Sequence, residues 1–168
     1  EKKDGHEKLN LSINISPKDF YFMDIYEVLT SLVKEHEVDP KHLHLEITES
    51  SVMNNATEHI KTINNLREYG FTVEMDDFGS GYSSLNMLTS LPIDALKLDM
   101  KFIRNICVNE KDSALVEIMI RISDLLEVPI IAEGVETKEQ AELLKGIGCE
   151  IIQGYYFSKP VPGEEFEK

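Results

Sequence analysis

The chain has 168 residues, 42% of them hydrophobic and 29% charged, with a formal net charge of −14. That length predicts one domain with a real hydrophobic core, and the composition is that of an ordinary globular protein. The acidity excludes a non-specific binder of nucleic-acid polymers, which needs a basic surface, but not a small phosphate ligand held through cations. No run approaches the roughly 18 apolar residues of a membrane span, so no membrane contact is expected from this segment. The charged start Glu1-Lys2-Lys3-Asp4 is not a secretion signal. Cys107 and Cys149 are far apart and form no CxxC, which reads as core or surface thiols in a reducing compartment. A cytoplasmic location is expected, whether or not the parent protein is anchored to a membrane.

Strand-like and helix-like segments alternate from end to end. A strand over Leu9–Ile15, with Asn14 near its end, leads to Ser16 as a helix cap and Pro17 in the first turn. The apolar spacing Phe20, Ile25, Val28, Leu29, Leu32, Val33 predicts the helix. A second strand, Leu43–Thr48, carries Glu46 and is followed by Glu49. Asn54 is placed to cap the next helix, whose apolar residues are Ile60, Ile63 and Leu66, and Gly70 to stop it. The third strand, Phe71–Met75, runs into Asp76-Asp77-Phe78-Gly79-Ser80-Gly81. A fourth, Ala95–Leu98, places Lys97 and Asp99 on one face and leucines on the other. A helix follows with Leu115, Ile118, Met119, Ile122, Leu125 and Leu126. Then come a strand over Ile130–Ala132 and Glu133. Thr137 is a cap with Glu139 and Gln140 in its first turn, and Ala141, Leu143 and Leu144 lead to Gly146 as the stop. The last strand, Glu150–Ile152, ends at Gln153.

Repeating strand–helix units predict an α/β fold with a parallel sheet and right-handed crossovers. An open sheet gathers ligand contacts near one switch point, whereas here the end of every predicted strand is polar. That distribution favours a (β/α)8 TIM-like barrel, in which all strand ends ring one mouth. A barrel takes about 250 residues, so this one is expected to be N-terminally incomplete, with its missing unit before Glu1.

The strand ends also suggest a chemistry. Asp76 and Asp77 repel each other, and burying either one unpaired is costly. Two divalent cations sharing a carboxylate relieve both problems. Asn14, Glu46 and Asp76 are hard oxygen ligands suited to Mg²⁺ or Mn²⁺, with Asp77 available to a second ion. Lys97 can hold a hydroxide or a phosphate oxygen, while Glu133 and Gln153 can orient waters. Such a set suits phosphodiester hydrolysis by in-line displacement. Each residue also has a plainer reading. Asn14 can be a turn residue, Glu46 and Glu49 a solvated strand end, the Asp76-Asp77 pair a tight turn, and Lys97 a side chain that snorkels to solvent. The inference rests on six such residues at equivalent topological positions. His42-Leu43-His44 offers two imidazoles to zinc, but at the beginning of a strand, which favours a structural role. His6, His36 and His59 show no ligand spacing. With no Gly-x-Ser-x-Gly elbow and no evident nucleophilic cysteine, covalent catalysis is unsupported.

Six segments in order resemble the EAL-domain family of cyclic di-GMP phosphodiesterases. They are Asn14-Ile15-Ser16, Leu45-Glu46-Ile47-Thr48-Glu49-Ser50, Asp76-Asp77-Phe78-Gly79-Ser80-Gly81-Tyr82-Ser83-Ser84-Leu85, Leu96-Lys97-Leu98-Asp99, Ala132-Glu133-Gly134-Val135-Glu136, and Gln153-Gly154-Tyr155-Tyr156-Phe157-Ser158-Lys159-Pro160. The resemblance implies a modified (β/α)8 barrel over residues 1–168 that hydrolyses cyclic di-GMP to linear pGpG with Mg²⁺ or Mn²⁺. It implies that Asn14, Glu46 and Asp76 bind the metal pair, with Asp77 serving the second ion. Lys97 and Glu133 would position the attacking water, and Gln153 would support it. Glu49 would anchor the loop 78–84, with Asp99 and Glu136 in supporting positions.

The Glu-Ala-Leu signature of that family, a metal-binding glutamate with an arginine after it, is not found in Glu1–Asn10. This sets the expectation of a trimmed piece of a larger protein, impaired in catalysis and fused in its parent to sensory or diguanylate-cyclase modules. An exposed barrel edge would add self-association, as a homodimer or beyond. The alternatives are a module that binds cyclic di-GMP without cleaving it, and a metal-dependent barrel hydrolase acting on another phosphoester.

Overall fold

A computed structural model describes residues 9–53, 56–79 and 89–166. They fall into two compact units that meet in sequence at Ala95 and Leu96.

The first unit is built on three parallel strands, β1 (Leu11–Ile15), β2 (Leu43–Thr48) and β3 (Thr72–Phe78). Parallel neighbours need crossover connections, and helices supply them. Between β1 and β2 lie α1 (Pro17–Phe22) and α2 (Ile25–Glu35). Between β2 and β3 lie α3 (Glu49–Met53) and α4 (Ala56–Tyr69). Ser16 caps α1 in a reciprocal box with Asp19, as Pro17 in the first turn leads one to expect. The single helix predicted from Phe20 to Val33 is two, because Asp24 takes an extended conformation and caps α2 through the Glu27 N–H at 3.0 Å. Val28 and Leu32 consequently face outward, while Ile25, Leu29 and Val33 are buried. Asn54, the expected cap of α4, lies outside the described residues.

Pairing of β2 with β3 runs from His44 opposite Thr72 to Thr48 opposite Asp76. The third strand therefore reaches three residues past Met75, and Asp76 and Asp77 belong to it rather than following it. Its core face is Val73 and Met75, at most 1% exposed. Asp94 pins the chain beside β3: Arg67 of α4 grips its carboxylate through Nε and Nη2 at 2.6–3.1 Å, and the Val73 N–H donates to it at 2.8 Å.

The second unit repeats the plan with β4 (Ala95–Leu98), β5 (Ile130–Ala132) and β6 (Ile151–Ile152), paired in parallel and in chain order. Its helices are α5 (Met100–Arg104), α6 (Glu110–Leu126), α7 (Lys138–Gly146) and the short α8 (Gly163–Phe166). Leu96, Leu98, Ile103, Val116, Ala132, Val135 and Leu144 are all sealed from solvent. On α6 the buried stripe is Val116, Ile120 and Ser123. Leu115, Ile118 and Leu125, part of the apolar spacing that predicts this helix, are exposed. Apolar residues occupy more than one face of this helix, so spacing alone does not choose between them. Thr137 caps α7 in a box with Gln140, whose amide also donates to the Ile103 carbonyl at 3.1 Å and ties α7 to the end of α5.

Candidate active site

In the first unit, side-chain alternation and strand register build one polar wall. Ser12 lies opposite His44, which lies opposite Thr72. One row on, Asn14 lies opposite Glu46, which lies opposite Glu74, and beyond them Thr48 lies opposite Asp76. Three of the predicted ligands, Asn14, Glu46 and Asp76, thus share one sheet face. Glu46 is 9% exposed, and Asp76 buries its Oδ1 without a hydrogen bond to that atom, although the residue makes other interactions. Asp77 is exposed and adopts φ 55°, the left-handed region that most L-residues avoid. Strain of this kind gathers at functional sites. Glu49, 6% exposed at the start of α3, accepts the Gly79 N–H at 3.1 Å and so holds the first residue after β3. Residues 80–84 of the loop it was expected to anchor lie outside the described residues.

Glu74 is a residue that strand-end reasoning missed. It is 5% exposed and binds His44 Nδ1 through Oε1 at 2.6 Å. The Thr72-x-Glu74-x-Asp76 alternation could have revealed it. His44 is thereby committed, and His42 contacts Asn10 at 3.1 Å from a 3₁₀ turn, so the two imidazoles do not form a zinc pair.

The second unit carries a finished cluster. Lys97 Nζ lies 2.6 Å from Glu133 Oε1, and Gln153 Nε2 donates to the same oxygen at 2.8 Å. Lys97 is only 4% exposed, so the stem of β4 delivers an ammonium that does not snorkel outward. Backbone seams set this geometry. The Gln153 N–H donates to the Ala132 carbonyl at 2.9 Å, and the Val135 N–H to the Gln153 carbonyl at 3.1 Å. A methyl group at Gly154 would sit on the Val135 backbone, and one at Gly134 would meet Met100 Cβ at 2.6 Å; both positions need glycine's missing side chain.

Asp99 has a different job from Lys97. It caps α5 through the Lys101 N–H at 2.9 Å and binds Lys101 Nζ at 2.7 Å. Burial opposes its charge, but the Lys101 hydrogen bonds outweigh that and hold the carboxyl below its ordinary value. Glu136 is exposed, and its backbone N–H binds Gln140 at 2.8 Å. Beside Glu133 and Gln153 opens a cavity of about 570 Å³, lined in part by Met100, Tyr155, Ser158 and Lys159. Lys159 Nζ sits 5.9 Å above the Tyr155 ring. Among the described residues, no three His, Cys, Asp or Glu side chains converge into a ready-made metal cage.

Parallel strand–helix units with acidic, amide and lysine side chains toward the strand ends define an α/β protein of the TIM-like barrel kind. The model of the EAL domain matches residues 1–160, and the chain belongs to that family, whose fold is a TIM-like barrel. MucR of Pseudomonas aeruginosa, described as a bifunctional diguanylate cyclase/cyclic di-GMP phosphodiesterase, is 35% identical over 96% of this chain and 24% of its own length. The solved PaMucR phosphodiesterase in complex with c-di-GMP superimposes with a TM-score of 0.91 at 35% identity, covering 96% of this chain and 66% of that one. Klebsiella pneumoniae BlrP1 with manganese and cyclic di-GMP gives 0.83 at 32% identity, covering 90% of this chain and 39% of that one. The chain spans about a fifth to a quarter of the curated relatives it matches.

Proposed function

We propose that this chain carries the residues of a metal-dependent phosphodiesterase that hydrolyses cyclic di-GMP to the linear dinucleotide. The observation that supports this most is the Lys97–Glu133–Gln153 cluster at 2.6 and 2.8 Å, found in a member of the EAL family with Asn14, Glu46, Asp76 and Asp77 all present.

The donor set fits a hard divalent cation in kind, since it consists of oxygen alone and is rich in carboxylate. Mg²⁺ or Mn²⁺ held by Asn14, Glu46, Asp76 and Asp77 would supply Lewis-acid activation of water and of the scissile phosphate. The rest falls to side chains. Lys97 and Gln153 fix Glu133 Oε1 from two directions, so that this carboxylate is oriented before substrate arrives. Lys97 would supply the cation that offsets charge developing on a phosphate oxygen or on the attacking water. Glu49 steadies the chain just after Asp77. Tyr155 and Lys159 give the neighbouring cavity an aromatic face and a positive charge, suited to part of a nucleotide.

The test incubates the chain with Mn²⁺ and cyclic di-GMP and follows the linear product by chromatography. Turnover that falls by about a thousandfold in Asp76→Asn is the expected result. Binding without turnover would make the chain a receptor for the dinucleotide, and neither would overturn the reading.

A further inference from the structure

The wall of the first unit holds one more carboxylate than the proposed reaction uses. Glu74 lies directly across from Glu46 on the same face, and both are buried, at 5% and 9% exposure. Side chains so placed are close neighbours, and like charges there repel. Two residues further along β3 lies Asp76. Left to itself, the Glu74 carboxylate would be drawn to any cation held by that row.

It is turned the other way. His44, one row below and diagonal to Glu74, takes Oε1 at 2.6 Å through Nδ1, with the two side chains 21% and 6% exposed. The register puts His44 opposite Thr72, not opposite Glu74, so Glu74 must reach back along the strand to make this bond. The result sorts the carboxylates of β3, with Asp76 left to the upper row and Glu74 held to the lower.

We propose that His44 is a positioning residue for the metal layer. By binding Glu74 it keeps that carboxylate out of the oxygen set and so limits the number of acidic groups facing the cations. The inference rests on the phosphodiesterase reading, because it presumes that Glu46 and Asp76 hold metal.

The test counts Mn²⁺ bound to the chain by the electron paramagnetic resonance signal of the free ion, with circular dichroism as the check on folding. Glu74→Gln, which keeps an acceptor for His44, is expected to leave Mn²⁺ affinity within about threefold of wild type. His44→Leu frees Glu74 and is expected to tighten Mn²⁺ binding about tenfold, as an added carboxylate does in oxygen-ligand sites, while turnover falls. His44→Leu with Glu74→Gln is expected to return affinity to the wild-type value. His44→Gln, which retains a side-chain donor, should behave as wild type.

A tenfold change in Glu74→Gln overturns the inference by making Glu74 itself a ligand. Unchanged or weaker binding in a folded His44→Leu chain overturns it by making the pair purely structural. Should His44→Leu not fold, Glu74→Gln and His44→Gln decide alone, and Mn²⁺ affinity altered in either overturns it. A wild-type chain that binds no Mn²⁺ overturns the phosphodiesterase reading together with this inference. A wild type that binds Mn²⁺ with His44→Leu unchanged overturns only the inference.

Discussion

The two units of this chain solve the problem of buried charge in opposite ways. The second gathers Lys97, Glu133 and Gln153 into a cluster whose charges are matched within the protein, at 2.6 and 2.8 Å. The first places Glu46, Glu74 and Asp76 on one face of β2 and β3 and sets His44 against Glu74. The second unit sets an ammonium against a carboxylate, and the first sets one carboxylate beside another, where like charges repel. A folding chain tolerates the latter arrangement only where function repays it. The location of stability and the location of metal chemistry are therefore expected to differ along the sequence.

Stability measurements can break or sharpen that contrast. The largest effect is expected for Lys97→Met. It removes the ammonium from beside the Glu133 carboxylate and should cost about 3 kcal/mol, read as a lower urea midpoint. Glu46→Gln, made in the absence of metal, should instead raise stability by about 1 kcal/mol, because it removes a like charge from beside Glu74. A loss of similar size would show that the wall is already balanced. Asp77→Asn should add about 0.5 kcal/mol without metal, since asparagine accepts the left-handed backbone and carries no charge beside Asp76. The same substitution should lower turnover. The smallest effect concerns acid. Asp99 has its folded pKa below the ordinary 3.8, so its contribution is present above that value and is lost as pH falls through the folded one. Asp99→Asn should flatten the acid limb of a stability–pH curve below about pH 4 and leave the neutral region parallel to wild type.

Much of the fold could be read from residue order. Strands β2, β4 and β5 lie where the apolar runs put them, since short buried runs between turn residues leave little choice of boundary. The caps Ser16 and Thr137 were equally plain, because a side-chain oxygen before a helix start has one common use. Other features depended on contacts distant in sequence. Pairing with Thr48 carries β3 past Met75 to Asp76, and the strand ends only at Phe78; no local pattern shows where a partner strand ends. The break at Asp24 and the inward stripe of α6 were obscured by apolar residues on several faces. The site was legible as a roster of strand-end residues. Glu74 escaped that roster because it lies two residues short of Asp76, although the same alternation puts both on one face. Asp99 shares the predicted strand face of Lys97, yet the chain turns into α5 immediately after β4 and uses the carboxylate as a cap.

The seam at Gly154 bears on how this protein can vary. Gln153 reaches Glu133 because the backbone on its far side runs flush against Val135, closer than any β-carbon permits. Side chains around the cluster can be exchanged and the chain can relax around them, but this joint has no slack. In a saturation library selected for activity, position 154 should tolerate almost no substitution, while Val108, 84% exposed and away from the cluster, accepts many residues. The pattern of tolerated change would then trace the backbone contact rather than the chemistry beside it, and a neighbour with no functional group would rank among the least replaceable residues in the chain.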